Sequence, residues 1–300
     1  MEKNVLKTGK IINLAKSEVK GFAQMYQLLE QKVLLGGLSS STLLNYGRCL
    51  AKISLHFKTP AHLLEEEQIS GYLMDLVRSE HQPSKSYFKH TVYGMRFLYR
   101  MHDMEDRIIK LPTLKRVDKL PVVLSKEEIK IFVKSSRILK HKAMLCLLYS
   151  SGLRSQELRN LLLRDIDFDR MMIHIRQTKY NKDRYVPLSP LMARGLKQYI
   201  MAYNPKQYLF NGKETGSSMS ARGVQWTVRE TLKRSGIKKE VTAHTLRHSY
   251  ATHLLEMGMN IDSVSKLLGH SHLNTTLVYL HVARLNQVEL FSPFDRLYER

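Results

Sequence analysis

The sequence predicts a mainly α-helical protein with one small β-sheet, divided into an N-terminal helical domain and a larger C-terminal domain. Three observations carry this reading. Apolar residues recur at three- and four-residue spacing along most of the chain, the signature of helices with one buried face. The alternation of a half-buried strand is confined to one region, around residues 171–188. A stretch rich in proline and basic residues, from Ile109 to Val123, interrupts the helical pattern.

In the first third, the segments Phe22–Leu35, Ser40–Phe57, Glu67–Ser79 and Ser84–Met101 each carry a helical apolar stripe. Ser39 to Ser41 offer N-caps for the second, because a serine oxygen can accept a bond from an unpaired amide of the first turn. Gln82-Pro83-Ser84 breaks the chain before the fourth. The boundary then follows. Residues 1–110 form the helical domain, 111–123 a linker containing Leu111-Pro112, Lys115-Arg116, Lys119 and Leu120-Pro121, and 124–300 the second domain. The second domain opens on Ser125-Lys-Glu-Glu128, where serine and glutamate can cap each other's amide in a capping box. Lys142–Ser150 is apolar nearly all round and reads as a central core helix, ending at Ser151-Gly152. Met171–Arg176 alternates, Arg184–Leu188 is β-prone, and Lys179-Tyr-Asn-Lys-Asp183 between them is rich in turn formers, so a hairpin is expected. Helices are expected again over Met192–Tyr203, Ser220–Ser235, Thr245–Met257, Ile261–Leu268 and Thr275–His281.

Composition narrows the partner. The 300 residues are 43% hydrophobic, ordinary for a globular chain, yet 48 Lys and Arg stand against 27 Asp and Glu, a formal charge of +21. Such an excess calls for a polyanion, nucleic acid first and an anionic membrane second. Lys52, Lys58, Arg78, Lys85, Lys89, Arg96 and Arg100 spread it over the N-terminal helices, as contacts to a DNA backbone require. No apolar run reaches the length of a membrane span, and the first residues lack the apolar centre of a signal peptide. Of the two cysteines, Cys49 and Cys146, the second is expected as a buried core thiol. No disulfide is expected and a cytoplasmic location follows.

The residues able to do chemistry gather toward the C-terminus. In Gly152-Leu-Arg154-Ser-Gln-Glu157-Leu158, Arg154 falls between a helix-ending glycine and a new helix, beside free amides where an oxyanion could sit. Glu157 could cap that helix or orient the arginine. Lys179 stands at the hairpin tip and could protonate a leaving alkoxide, with Lys182 as its rival in the same loop. His244 and Arg247 share a helix face, with His248 close by. The histidine can give or take a proton, and the arginine offers a planar fork to two phosphate oxygens. Gly269-His270 closes a helix capped by Asn260, leaving the imidazole exposed at a corner and free to enter a cleft. Tyr279 follows on a short helix and needs nearby positive charge or a base to become a nucleophile. The chain holds 13 histidines. His244 and His248 have helical ligand spacing, but the HExxH pattern is absent and no cysteine is near, so no metal site and no cofactor are expected.

Taken together, Arg154 in Gly-Leu-Arg-x-x-Glu-Leu, Lys179 in the hairpin, His244-x-x-Arg247, Leu-Gly-His270 and Tyr279 resemble the catalytic set of the tyrosine recombinase, or phage integrase, family. The resemblance spans the second domain. The N-terminal helices resemble the family's core-binding domain in pattern only. Thr178 and Tyr180 flank the hairpin lysine where many members carry glycine, and no arm-type domain is evident before residue 10, as in the simpler members. The resemblance implies a C-shaped clamp on duplex DNA and a homotetramer holding two duplexes. It also implies that Tyr279 forms a 3′-phosphotyrosyl link, that exchange runs through a Holliday junction, and that no metal takes part. Arg154 and Arg247 would clamp the phosphate, Lys179 would protonate the leaving oxygen, His244 would act as base or phosphate donor, and His270 would bond the phosphate. Relatives suggest that the tail from Val288 to Phe294 docks on a neighbour, the alternative being a tail folded on its own core. A non-catalytic DNA-binding regulator and a type IB topoisomerase are the competing readings.

Overall fold

The computed structural model describes residues 2–78, 85–113, 120–176, 183–214 and 216–283. The chain separates into two compact units, Met1–Val117 and Asp118–Arg300.

The first unit contains α1 (Glu2–Glu18), α2 (Phe22–Leu35), α3 (Ser40–Phe57), α4 (Glu66–Arg78), α5 (Lys85–Met101) and the short α6 (Glu105–Ile109). α3 is its centre. It packs on α1, α2 and α5, and its Leu50, Ala51 and Ile53 are fully buried beside Phe22, Leu29, Val92 and Leu98. The approach to α2 is close enough to require glycine: a Cβ on Gly47 would lie 2.6 Å from the Tyr26 ring. Ser39 caps α3, its hydroxyl accepting from the Thr42 amide at 3.3 Å. Two helices escape a reading of the sequence. α1 is polar along most of its sequence, and among its residues from Gly9 onward, whose side chains are described, Ile12 and Ala15 are buried, too sparse a stripe to show a period. α6 spans barely more than one turn.

The second unit begins with α7 (Lys126–Lys134), held by the expected capping box: Ser125 Oγ accepts from the Glu128 amide at 3.1 Å and Glu128 accepts from the Ser125 amide at 2.7 Å. α8 (Leu139–Ser150) follows, then α9 (Ser155–Asn160). Antiparallel strands β1 (Ile166–Asp167), β2 (Met172–Ile175) and β3 (Arg184–Pro187) form one sheet in that order. Ile166 pairs with Ile173, and Ile173 with Val186, so apolar residues of all three strands stack toward the core. The hairpin is the expected one. β1 is an addition, two residues being too few to display alternation. The hairpin tip, with Lys179 and Lys182, lies outside the described residues.

The remaining elements are α10 (Pro190–Tyr203), α11 (Ala221–Ser235), α12 (Ala243–Glu256), α13 (Ile261–Leu268) and α14 (Asn274–Leu277). α8 packs between α10 and α12, with Met144, Leu145, Leu147 and Leu148 fully buried, which is why its sequence is apolar all round. Cys146 on this helix is only partly buried, contrary to expectation, because it turns toward a groove lined by Val133, Leu139 and Met192. Cys49 is the fully buried thiol. The last helix is shorter than its pattern suggests: α14 stops at Leu277 and Tyr279 sits in the following turn, its amide bonded to the Thr276 carbonyl at 3.0 Å. The expected tail contact of residues 288–294 lies outside the described residues. Among the described residues no helix is long and apolar enough to cross a membrane.

Candidate active site

The site is assembled from chain ends and turns around α12. α8 ends in a reversal at Gly152, whose φ of +59° suits glycine and whose absent Cβ would lie 2.4 Å from the Tyr250 ring. The reversal aims the Gly152 carbonyl at Arg247, which donates to it through Nη1 at 2.6 Å. A second donation, through Nη2 at 2.7 Å, goes to the Leu268 carbonyl at the end of α13. Arg247 is thereby fixed between the C-termini of two helices, and its side chain is 4% exposed. Burial first, and the neighbouring Arg154 second, lower its pKa to about 10, so it remains a cation at neutral pH.

Arg154 occupies the N-cap position of α9. Its amide donates to Glu157 at 2.8 Å, its Nη1 to the same carboxylate at 2.7 Å, and its Nη2 to the Gly269 carbonyl at 3.2 Å. Arg184 on β3 grips Glu157 from the other side with two parallel bonds of 2.9 and 2.8 Å and donates through Nε to the Leu267 carbonyl. Bidentate pairing of this kind fixes both orientation and distance. Burial alone would raise the Glu157 pKa, but the bonds and charges of Arg184 and then Arg154 prevail and hold it at about 2. Arg247 approaches the carboxylate to 3.9 Å. Three guanidiniums therefore surround one carboxylate, leaving two positive charges uncompensated.

His270 accepts from Arg247 Nη2 at Nε2, 3.0 Å away. An acceptor at Nε2 puts the proton on Nδ1, which donates to the Thr276 hydroxyl at 2.8 Å. Burial and three nearby arginines, Arg247 foremost, push its pKa down to about 3, so the ring is neutral. It is half-buried within the cluster and not at an exposed corner. The expectation failed because the turn after α13 folds back beneath α12.

Tyr279 is 3% exposed and packs with Tyr250, Ala251, Leu255, Val264 and Leu268. Its hydroxyl lies 3.0 Å from Nδ1 of His248, and its ring stacks on His270 with centroids 6.4 Å apart. Burial raises its pKa, while Arg247 and Arg154 pull it back, so the resting group is a phenol. His244, the imidazole expected beside the nucleophile, is exposed, and its ring centroid lies 6.2 Å from that of His248. Its pKa is lowered by the protein crowding its ring, then by Arg247 and Arg154. It lines a cavity of about 760 Å³ with Ser155, Gln225, Arg229, Glu240 and Thr242.

The structure thus brings Arg154, Arg247, His270 and Tyr279 into one cluster, with His244 at its rim. Two further members were not assigned from sequence. His248 left a faint signal, standing one turn after His244. Arg184 left none, since a basic residue opening a strand is usually solvated. Among the described residues no three His, Cys, Asp or Glu side chains gather as metal ligands would.

Fixed donors around a small cationic pocket, with a phenolic oxygen at its wall, are suited to a phosphoryl group and a nucleophile in contact with it. Comparison with known proteins gives the same class. The phage integrase family model matches residues 103–285. A tyrosine recombinase of Thermosipho africanus is 33% identical over 259 residues, covering 82% of this chain and 90% of its own. Tyrosine recombinase XerD of Listeria innocua is 33% identical over 283 residues, covering 86% and 93%. Among solved structures, the Tn1549 transposon integrase in complex with a circular intermediate DNA superposes with a TM-score of 0.68 at 18% identity, over 85% of this chain and 94% of that one. The chain belongs to the phage integrase family and is a tyrosine recombinase.

Proposed function

We propose that this chain is a site-specific DNA recombinase in which Tyr279 attacks the phosphodiester held by Arg154 and Arg247. The observation that carries the reading is the placement of the Tyr279 hydroxyl within the arginine cluster. The phenolic oxygen bonds to phosphorus as the bond to the 5′-oxygen breaks, giving a 3′-phosphotyrosyl link and a free 5′-hydroxyl. The hydroxyl of a partner strand then attacks that link and expels the tyrosine. Bond energy is conserved in the ester, so no nucleotide is consumed. Two such exchanges, through a Holliday junction, recombine two duplexes.

The charge balance supports these roles. The pentacoordinate transition state carries one more negative charge than the diester, and two uncompensated guanidinium charges meet it in a water-poor pocket. Arg154 commits two of its five guanidinium N–H donors to Glu157 and Gly269 and keeps the others for non-bridging oxygens. His270 would bond the phosphate once Arg247 turns toward the substrate and the imidazole carries a proton on Nε2, because a phosphate oxygen needs an N–H donor. Lys179 would protonate the leaving oxygen, as the family resemblance implies, with Lys182 as the alternative. The net charge of +21 is consistent with a duplex partner, and the Met1–Val117 unit would serve as the core-binding domain. Two duplexes and two rounds of cleavage call for a homotetramer on DNA, acting in the cytoplasm where its substrate lies.

A duplex nicked just beyond the cleavage position, so that the 5′-fragment diffuses away, tests the proposal by trapping the adduct. The wild-type chain should accumulate a covalent protein–DNA species, and Tyr279→Phe should bind the duplex equally well and form none. An adduct surviving in Tyr279→Phe would remove the nucleophile assignment.

A further inference from the structure

We infer that His248 is a catalytic residue of the strand-cleavage step, the group that takes the proton of Tyr279 as its oxygen attacks. The inference rests on Tyr279 being the nucleophile. It concerns a residue that the family resemblance does not carry over, and it displaces His244 from the role of base.

Geometry leads the argument. A general base must lie within hydrogen-bond reach of the proton it removes. His248 Nδ1 lies 3.0 Å from the Tyr279 hydroxyl, whereas His244 stands a turn earlier on α12, exposed, its ring 6.2 Å from that of His248. α12 is a buried, rigid platform on which Leu246, Arg247, Ser249 and Tyr250 are all enclosed, so the position of the His248 ring is set by the helix. It stands one turn after His244 and directly after Arg247 on the same helix, and both of these groups bear on its ring.

Protonation state agrees. Burial first, then His244 and Arg247, lower the His248 pKa to about 4. At neutral pH the ring is therefore the free base. With its proton on Nε2, Nδ1 is the lone pair that receives the phenolic hydrogen. The groups that bear on it are His244 and Arg247 from its own helix and Tyr279 from the turn after α14. Behind Arg247 lie His270, Arg154, Arg184 and Glu157. The cationic groups among them disfavour an imidazolium at rest. The entering phosphodiester, and the second negative charge that builds on it, offset them as the proton moves.

The step balances. The O–H bond of Tyr279 breaks and an N–H bond forms at His248 Nδ1. The phenolic oxygen bonds to phosphorus, and the 5′-oxygen leaves and takes a proton from the general acid, the role given above to Lys179 or Lys182. A weak base suffices, because the phenolic oxygen loses its own basicity on becoming an ester oxygen. In the rejoining step the imidazolium returns the proton as the phosphotyrosyl bond breaks, leaving His248 neutral for the next cycle.

A resting tether would show the same hydrogen bond, and kinetics separate the two. His248→Asn keeps an amide within reach of the hydroxyl but cannot accept a proton. His248→Gln is a second replacement with a longer reach. Single-turnover adduct formation on the nicked duplex is measured from about pH 3.5 to 8 at saturating protein, so that the window spans the lowered His248 pKa, with duplex binding and thermal melting measured alongside. We expect cleavage to fall by about a hundredfold or more in both variants, with binding and melting retained. The wild-type rate should decline toward acid pH as the imidazole is protonated, and the variants should lose that decline. His244→Asn should keep it. Cleavage at or above the wild-type rate in His248→Asn would make His248 a tether. A reduced rate with the acid decline intact would make it structural. Either result overturns the inference while leaving Tyr279 in place, whereas an adduct in Tyr279→Phe would fail the underlying reading instead.

Discussion

Replacing Glu157 by glutamine removes one negative charge from between three guanidiniums while preserving size and shape. The cost can be worked from the site. The carboxyl is held at about 2 against an ordinary value of 4.5. With a tenfold change in acidity worth about 1.4 kcal/mol, the ionised form contributes about 3 kcal/mol to the folded state. The side chain is 6% exposed, so solvent screens this little. Breaking a buried ion pair by removing one partner costs a comparable amount, about 3–5 kcal/mol. For a unit of this size that lowers the melting temperature by roughly 6–12 °C. The pH dependence has a definite sign. Because the folded-state pKa is depressed, the stabilisation is present in full above pH 4.5 and is lost as the pH falls toward 2. Thermal melts of wild type and Glu157→Gln, followed by circular dichroism between about pH 2.5 and 7, read both effects. Glu157→Gln should melt lower at pH 7, and the gap should narrow with acid. A variant within about 2 °C of wild type at pH 7 would refute the argument, since an uncompensated guanidinium cluster cannot be free of cost. So would an unchanged gap at the acid end.

Two further outcomes follow from the same packing. Gly152→Ala forces a side chain into left-handed backbone and onto the Tyr250 ring, and displaces the carbonyl that anchors Arg247, so urea unfolding should show a loss of about 2–4 kcal/mol together with reduced cleavage. Thr276→Val leaves the His270 Nδ1–H without its acceptor in a buried position, which should cost about 1–3 kcal/mol in the same assay, and Thr276→Ser should restore both stability and adduct formation.

The comparison of α2, α3, α7 and α13 with α1 and α14 shows where local pattern is sufficient. The first four carry a dense apolar stripe and a capping side chain at Ser39, Ser125 or Asn260, or a glycine at the turn before α2, and their ends are set within a few residues. α1 lacks a stripe to read, and α14 stops early because the chain must turn to bring Tyr279 under α12. The membership of the cluster was legible for Arg154, Arg247, His270 and Tyr279, since each stands in a short motif whose residue types suit a phosphate. Their partners were not. His248 meets Tyr279 across 31 residues and Arg184 meets Glu157 across 27.

By itself the sequence determined a mainly helical, strongly basic chain, because charge, periodicity and capping act within a turn or two, and its short motifs carried the resemblance to the tyrosine recombinases and the chemistry the side chains can supply. Tertiary structure alone decided which imidazole reaches the phenol, which nitrogen of His270 holds the proton, and how Glu157 is shared among three arginines. Those outcomes depend on burial and on contacts between elements far apart in the chain, and only the packed core around α12 sets them.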